Sequence, residues 1–249
     1  MPQTVPTAWT QTTLTENMRI SIVTRLLDLI APRVCTACGA RLSPTEDTIC
    51  QVCLLHLPRT GYARSPEDNP MARLFWGLMP VERAAALFFH LPHTESARIV
   101  YAMKYGGRAD AAVTMGRIMA REFACAGFFD GIDVMVPVPL TRKRKRSRGY
   151  NQSELIARGI GEVTGIPVDI KALERTAFSS SQTTLTRWMR RDNVKDAFRL
   201  TDGSRLAGRH VLLVDDVITT GATTMACGAS LTGIPGIRLS VITLAFAKG

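Results

Sequence analysis

The chain has 249 residues, of which 46% are hydrophobic and 21% charged, and it carries a formal net charge of +10. This length suits one substantial domain with a small second unit, and the composition provides ample core material. No apolar run approaches the ~18–20 residues that span a bilayer, which excludes a helical membrane anchor of ordinary length. The positive charge favours polyanionic ligands such as pyrophosphates, phosphosugars or nucleic acid, without choosing among them.

The first thirty residues divide into a polar stretch and an apolar one. Residues 1–17 are rich in Thr and Pro, show no apolar periodicity and are predicted to form a disordered tail. Residues 18–30 carry apolar side chains at helical spacing, which predicts a packed amphipathic helix rather than a membrane-docking one. Because no Lys or Arg precedes an apolar core in residues 1–17, we expect no export and a cytoplasmic location.

Two C-x-x-C pairs follow, Cys35 with Cys38 and Cys50 with Cys53. Paired thiolates at this spacing suit tetrahedral zinc, and four Cys ligands leave no open position for catalysis. We therefore predict a structural zinc site in a helix-plus-module unit at residues 18–60, with buried or disulfide-linked dithiols as the alternative. The Gly and Pro residues of the segment 61–80 predict a linker to a main domain at residues 81–249.

The main domain opens with a predicted strand at Arg83–His90 and predicted helices at His93–Lys104 and Ala111–Ala126. The first helix ends at a Gly-Gly pair, and Lys104 and Arg108 flank that turn. Either cation could reach a phosphate or simply occupy a solvated helix end, and the residues alone leave both interpretations open.

A second strand, predicted at Asp133–Val138, leads into a proline-rich turn and then into a strongly basic run. Pro137 and Pro139, which flank Val138, mark the carboxyl end of this strand. The basic residues of the run are Arg142, Lys143, Arg144, Lys145, Arg146 and Arg148. Self-repulsion predicts that this run stays exposed and mobile until it meets an anion, either nucleic acid or pyrophosphate. A helix is predicted to follow from Ser153 to Ile160.

The most informative stretch comes last. His210–Val214 is a short, β-branched apolar run that predicts a buried strand ending on Asp215 and Asp216. A helix, predicted at Ala222–Leu231, and a final strand, predicted at Ile237–Ala245, follow. The residues between strand and helix are Thr219, Thr220, Gly221, Ala222 and Thr223. Such a loop at a helix start favours a phosphate, and Gly permits close approach of its backbone. The carboxylates suit hydroxyls or a divalent cation, so a phosphorylated sugar fits both halves.

The segment V-L-L-V-D-D-V-I-T-T-G-A-T resembles the phosphoribosyl-pyrophosphate (PRPP) signature of the type I phosphoribosyltransferases. The resemblance implies that Asp215 and Asp216 bind the ribose 2′- and 3′-hydroxyls and that the loop Thr219–Thr223 holds the 5′-phosphate. It also implies magnesium bound together with PRPP.

Five motifs in one order resemble the ComF family of competence-associated, phosphoribosyltransferase-like proteins. They are the cysteine module, K-Y-G-G-R, V-P-V-P with R-G-Y-N-Q, the polar segment that starts at Arg175, and the PRPP signature. The resemblance implies that Val136–Leu140 is the pyrophosphate loop and that Arg175–Gln182 is a mobile loop. Ala177 stands where the family often has a second basic residue, so neutralisation of the charge on departing pyrophosphate would depend on Arg175, on Lys104 or on the basic run after Leu140.

Alternating strands and helices predict an α/β fold, namely a type I phosphoribosyltransferase-like, mostly parallel sheet with helices on both faces, plus the small four-Cys zinc module. Two functions fit these features. One is an enzyme that transfers phosphoribosyl from PRPP to a nitrogen acceptor. The other is a non-catalytic protein that binds single-stranded DNA during uptake, together with proteins of the uptake machinery.

Overall fold

A computed structural model describes residues 31–176 and 197–247. The expected tail at 1–17, the expected helix at 18–30 and the expected mobile loop beyond residue 176 lie outside the described residues. Within the described part of the chain, no helix is long and apolar enough to cross a membrane.

A parallel sheet of four strands forms the centre of the molecule, in the order β1-β6-β5-β2. A separate antiparallel hairpin pairs β3 with β4. The strands of the described residues are β1 (Ala84–Phe89), β2 (Val134–Pro137), β3 (Leu173–Arg175), β4 (Phe198–Leu200), β5 (His210–Ile218) and β6 (Arg238–Phe246). Strands buried on both faces read as continuous apolar runs, which is why β1, β5 and β6 were recognisable in the sequence.

Helices cover both faces of the sheet, as predicted. The helices are α1 (Gln51–His56), α2 (Glu95–Tyr105), α3 (Ala109–Ala124), α4 (Arg142–Arg148), α5 (Gln152–Thr164) and α6 (Ala222–Ala229). One face packs α2, α3, α5 and the four-Cys module against alternate sheet residues such as Leu212 and Val214. The opposite face packs α6 and the β3–β4 hairpin against the intervening residues, such as Val211 and Leu213. The predicted fold class is therefore confirmed, as a layered α/β sheet with an N-terminal four-Cys cluster.

Two local expectations were wrong. The basic run forms helix α4 instead of a mobile loop, because the Thr141 side chain accepts a hydrogen bond from the Arg144 amide and Gly149, at φ 80°, ends the helix in the left-handed conformation. Every residue of α4 is at least partly exposed, in keeping with its charge. The strand β5 also does not end on the acidic pair, because it pairs with β6 as far as Ile218.

The segment 61–80, expected to be a linker, packs closely on the sheet. Met71 and Phe75 are fully buried in the core of the α6 face. The Asn69 amide group donates to the Ala84 carbonyl at 2.8 Å and thereby fixes the segment beside β1. The domain boundaries themselves stay predictions.

Helices α3 and α5 cross at two glycines, and this crossing supports one prediction about stability. A Cβ atom on Gly159 would lie inside van der Waals contact of the Val113 carbonyl oxygen, and one on Gly116 would clash with the Ile156 carbonyl. Because backbone atoms cannot step aside, Gly159→Ala is expected to lower the free energy of unfolding by about 1–3 kcal/mol in urea titrations. Gly233→Ala, whose Cβ would meet open space, is the control and should change it by less than about 1 kcal/mol.

Candidate functional site

The acidic pair lies near the carboxyl end of the central strand β5. Asp216 is buried, and its carboxylate lies 3.2 Å from the Lys104 ammonium group at the end of α2. Asp215 accepts hydrogen bonds from the Ser153 hydroxyl at 3.1 Å and from the Asp216 amide at 2.8 Å. The structure therefore joins the acidic pair to two helices that are distant in sequence, and Lys104 forms an ion pair with Asp216 rather than occupying a solvated helix end.

The pKa of the Asp215 carboxyl differs from that of an ordinary aspartate. Burial, together with the negative charge of Asp216, raises the pKa of Asp215 to about 7. The Asp216 amide, the Ser153 hydroxyl and the Lys104 charge act in the opposite direction without cancelling the increase. Asp215 is thus about half protonated near neutral pH, and a ligand with hydroxyl donors would favour its ionised form.

The predicted phosphate loop follows β5 and leads into α6. Thr219, Thr220 and Thr223 are exposed, and Gly221 is the N-terminal cap of the helix with φ at 75°. A Cβ atom on Gly221 would point towards Met225, at 3.2 Å from its terminal methyl group, rather than into the loop. Gly is thus required here for its left-handed backbone, and the sequence-based reason, close approach of a phosphate, is corrected.

The proline-rich turn after β2 lies beside β5. The Val138 amide donates to the Val214 carbonyl at 2.9 Å, which continues the parallel pairing past Pro137. The Asn151 amide group donates to the Val138 carbonyl at 3.0 Å, and its oxygen caps α5 by accepting from the Ser153 amide. Asn151 and Ser153 therefore position this turn and Asp215. From the sequence, Asn151 was noted only as one residue of the R-G-Y-N-Q motif. That motif is the signal from which its positioning role could have been predicted.

Arg175 lies at the opposite side of the turn, on β3. Its guanidinium carbon is 5.0 Å from the centroid of the Phe198 ring. A cleft of about 240 Å³ brings Arg175 together with Pro137, Pro139, Arg142 and Lys145. Burial and the charge of Arg144 lower the pKa of Arg175, while the charges of Cys227 and Asp215 oppose this decrease. Arg175 is thus a half-buried cation within the electrostatic reach of the acidic pair.

A second cleft, of about 610 Å³, lies beside Lys104. Arg144 and Arg148 of α4 line it, together with Tyr105 and Tyr150. Helix α4 therefore directs some of its cations into this cleft and others, Arg142 and Lys145, into the smaller one. The phosphate loop Thr219–Thr223 lines neither cleft. The cations of α4 therefore share clefts with Lys104 and with Arg175, but not with that loop.

The four cysteines of the N-terminal module lie together. Their sulfur atoms all lie within 4.8 Å of one another, and three of the four residues are buried: Cys35, Cys50 and Cys53. The distance between the sulfurs of Cys38 and Cys50 is 3.8 Å. A tetrahedral ion with four bonds of about 2.3 Å to sulfur separates its ligands by about 3.8 Å.

Backbone amides donate to these sulfurs, as expected around metal-bound thiolates. The Cys50 amide donates to the Cys35 sulfur at 3.3 Å, and the Ala40 amide to the Cys38 sulfur at 3.5 Å. Burial alone would raise the pKa of Cys35, but hydrogen bonds from backbone amides outweigh it and lower that pKa to about 7. The donor set could thus hold a metal ion such as zinc.

Comparison with known proteins gives relatives but no matching family model. The chain is 29% identical over 193 residues to the DNA utilization protein YhgH of Escherichia coli (strain K12), covering 76% of this chain and 80% of that one. It is 38% identical over 92 residues to Competence protein F of Haemophilus influenzae, covering 36% and 40% of the two chains. It is 29% identical over 90 residues to Competence protein ComFC of Bacillus subtilis, covering 36% and 34%. The names of these relatives agree with the resemblance to the ComF family that the ordered motifs carry.

A solved structure of glutamine PRPP amidotransferase from B. subtilis, complexed with ADP and GMP, is also similar to the chain. The TM-score is 0.37 at 22% sequence identity, over 57% of this chain. The chain spans about 30% of the length of that larger protein.

Proposed function

We propose that this chain, a member of the ComF family, binds PRPP with magnesium at the carboxyl ends of β2 and β5. The observation that carries the proposal is the joining of the acidic pair of β5 to Lys104 and Ser153 beside the start of α6. Ligands of parallel α/β sheets bind at this edge. Asp215 and Asp216 would accept the ribose hydroxyls, and the amides of Thr219–Thr223 would hold the 5′-phosphate.

The remaining parts of the site suit the pyrophosphate group. The turn Pro137–Pro139 offers backbone beside the acidic pair, and Arg175 and Lys104 offer buried or half-buried cations. Carboxylate oxygens are ligands that magnesium prefers, so the donor set fits that ion. Magnesium, when bound, would neutralise charge on the pyrophosphate.

As an enzyme, the chain would transfer phosphoribosyl to a nitrogen acceptor. The acceptor lone pair forms a bond to the anomeric carbon, the bond to pyrophosphate breaks, and pyrophosphate leaves with its electron pair. Arg175 and Lys104 would stabilise the charge that develops on it. The relatives are named for DNA utilization and competence, and on that basis we propose a physiological role in DNA uptake, within the cytoplasm and beside proteins of the uptake machinery.

Calorimetry of the folded protein with PRPP tests the proposal. One PRPP per chain is expected to bind with magnesium present, and more weakly without it. Release of pyrophosphate on addition of free nucleobases would identify an enzyme, whereas PRPP binding without release would identify a binding protein. A folded protein that shows no PRPP binding in the presence of magnesium would contradict the site assignment.

Helix α4 supports a second function, the binding of single-stranded DNA. It presents six exposed or half-exposed cations from one seven-residue helix. Each phosphate neutralised on a single strand adds about −0.7 to the slope of log affinity against log salt concentration. Replacing Arg142, Lys143 and Arg146 with Gln is therefore expected to flatten the slope by about 2, as measured by titrations at several salt concentrations.

The matched control for this prediction removes the same charge elsewhere. Arg73, Arg199 and Arg205 are exposed and form ion pairs with nearby carboxylates, so their replacement should leave the slope unchanged. If the α4 variant binds single strands with the parent's slope, the helix is a solvated surface. If its affinity for PRPP falls instead, the helix belongs to the pyrophosphate site.

We also propose that the four-Cys module binds zinc. Its sulfur separation fits the ion, and all four ligands are cysteines. The role is structural because no position is left for a substrate.

A further inference from the structure

Helix α2 carries two exposed tyrosines that the core does not use. Tyr101 and Tyr105 lie one turn apart, with ring centroids 5.1 Å from each other, and they are 64% and 65% exposed. The apolar side of the same helix, with Ile99 and Met103, is fully buried. Aromatic side chains normally bury most of their large surface, so an exposed pair marks a surface available for a ligand.

The two tyrosines form a ridge between two clefts. On one side lies the cleft of about 610 Å³ that α4 lines. On the other side lies a cleft of about 590 Å³, lined by His90, His93 and Arg98. Tyr105 and Lys104 line both clefts, so the ridge joins them into one track across the surface. Among the described residues that line either cleft, none is Asp or Glu.

The charge beside the ridge complements a phosphate backbone. The Arg148 guanidinium lies 5.1 Å from the centroid of the Tyr105 ring, which places the last cation of α4 directly against the aromatic surface. Arg144, one turn earlier in α4, lines the larger cleft together with Arg148. Stacking surfaces beside a cationic track are the arrangement that binds single strands, because every unpaired base presents a ring face and every nucleotide a phosphate.

We propose that single-stranded DNA stacks its bases on the Tyr101–Tyr105 ridge while its phosphates follow α4. The proposal rests on the nucleic-acid role proposed for α4 and adds the part that recognises bases. A duplex, whose bases are already stacked and paired, cannot use the ridge, so the tyrosines make the site selective for single strands.

Fluorescence anisotropy tests the ridge with three probes, namely a labelled short oligothymidylate, an abasic oligonucleotide of the same length, and a duplex. Changing both residues to Leu, as Tyr101→Leu with Tyr105→Leu, is expected to weaken oligothymidylate binding about tenfold or more. The affinity for the abasic strand and for the duplex should stay within about twofold of the parent's, because only phosphates contact the protein there. Changing both residues to Phe retains the rings and should preserve the parent's affinity.

Trp76→Leu is the matched control, since Trp76 is 57% exposed in the segment that packs on the opposite face of the sheet. It should leave all three affinities unchanged. If the parent protein binds the thymidylate and abasic strands with equal affinity and a steep salt dependence, base stacking on the ridge is contradicted, whereas the role of α4 in binding phosphates is not. Absence of binding to any probe would overturn both. Loss of thymidylate binding in the Phe variant would show that the hydroxyls, rather than stacking, are responsible, and would also overturn the proposal.

Discussion

Replacing Asp215 and Asp216 together with Asn is expected to weaken PRPP binding about a hundredfold or more in calorimetry. Each charged hydrogen bond contributes about 1.5–3 kcal/mol, and the double variant removes the charge from both acceptors of the ribose hydroxyls. Binding of ribose 5-phosphate should be partly retained, because the loop Thr219–Thr223 still presents its amides to the 5′-phosphate. Comparing the two ligands thus distinguishes the contribution of the carboxylates to binding from that of the loop.

Chemical denaturation checks that the double variant is folded, since the change removes the repulsion between two carboxylates but also removes the partner of the Lys104 ammonium group. Two neighbouring carboxylates in a buried setting repel each other, and Asn side chains of the same shape do not. The matched control is Asp68→Asn, an exposed carboxylate that pairs with Arg73. It should retain the parent's PRPP affinity. If the double variant binds PRPP with the parent's affinity, the acidic pair does not belong to the PRPP site.

The raised pKa of Asp215 also determines the sign of a pH effect. Because the folded pKa, about 7, lies above the ordinary value, the folded state keeps a proton that the unfolded chain releases at lower pH. Stability therefore falls as the pH rises from about 4 to about 7, and Asp215→Asn should remove this fall. PRPP affinity should change in the opposite direction, rising through about pH 7 as Asp215 ionises. Chemical denaturation and calorimetry at several pH values measure the two effects.

Removing the metal from the four-Cys module is expected to have the other large effect. Structural zinc contributes on the order of 10–16 kcal/mol in small zinc-binding peptides. Elemental analysis should find one zinc per chain, and Cys53→Ser should lose it and lower the unfolding temperature. The cysteines share one apolar cluster with Leu87 and Ile99 of the main domain. Loss of zinc should therefore loosen the α2 face of the sheet as well as the module.

The control for the zinc prediction is Cys125→Ser. Cys125 is exposed and lies outside the cluster, so its replacement should retain the metal and the parent's stability. A purified protein that contains no metal, forms two disulfides and unfolds at the same temperature after treatment with a chelator would contradict the zinc site.

The sequence by itself determined the elements whose signals are local. The strand β5 is recognisable because a strand buried on both faces must be apolar along its length. The four-Cys cluster is recognisable because two residues separate the cysteines of each pair, which is a spacing typical of zinc ligands. The helix α4 was missed, although both of its end signals are local. Thr141 and Gly149 form its caps, and they decided the conformation against the repulsion of its charges.

Only the tertiary structure decided how the site is assembled. The contacts of Lys104 with Asp216 and of Ser153 with Asp215 join residues on different helices and strands, and no spacing in the sequence encodes which pairs meet. The burial of the segment around Phe75 and the exposure of Tyr101 have the same origin. Composition and periodicity describe the neighbours of a residue along the chain, whereas packing depends on neighbours that the folded sheet brings together.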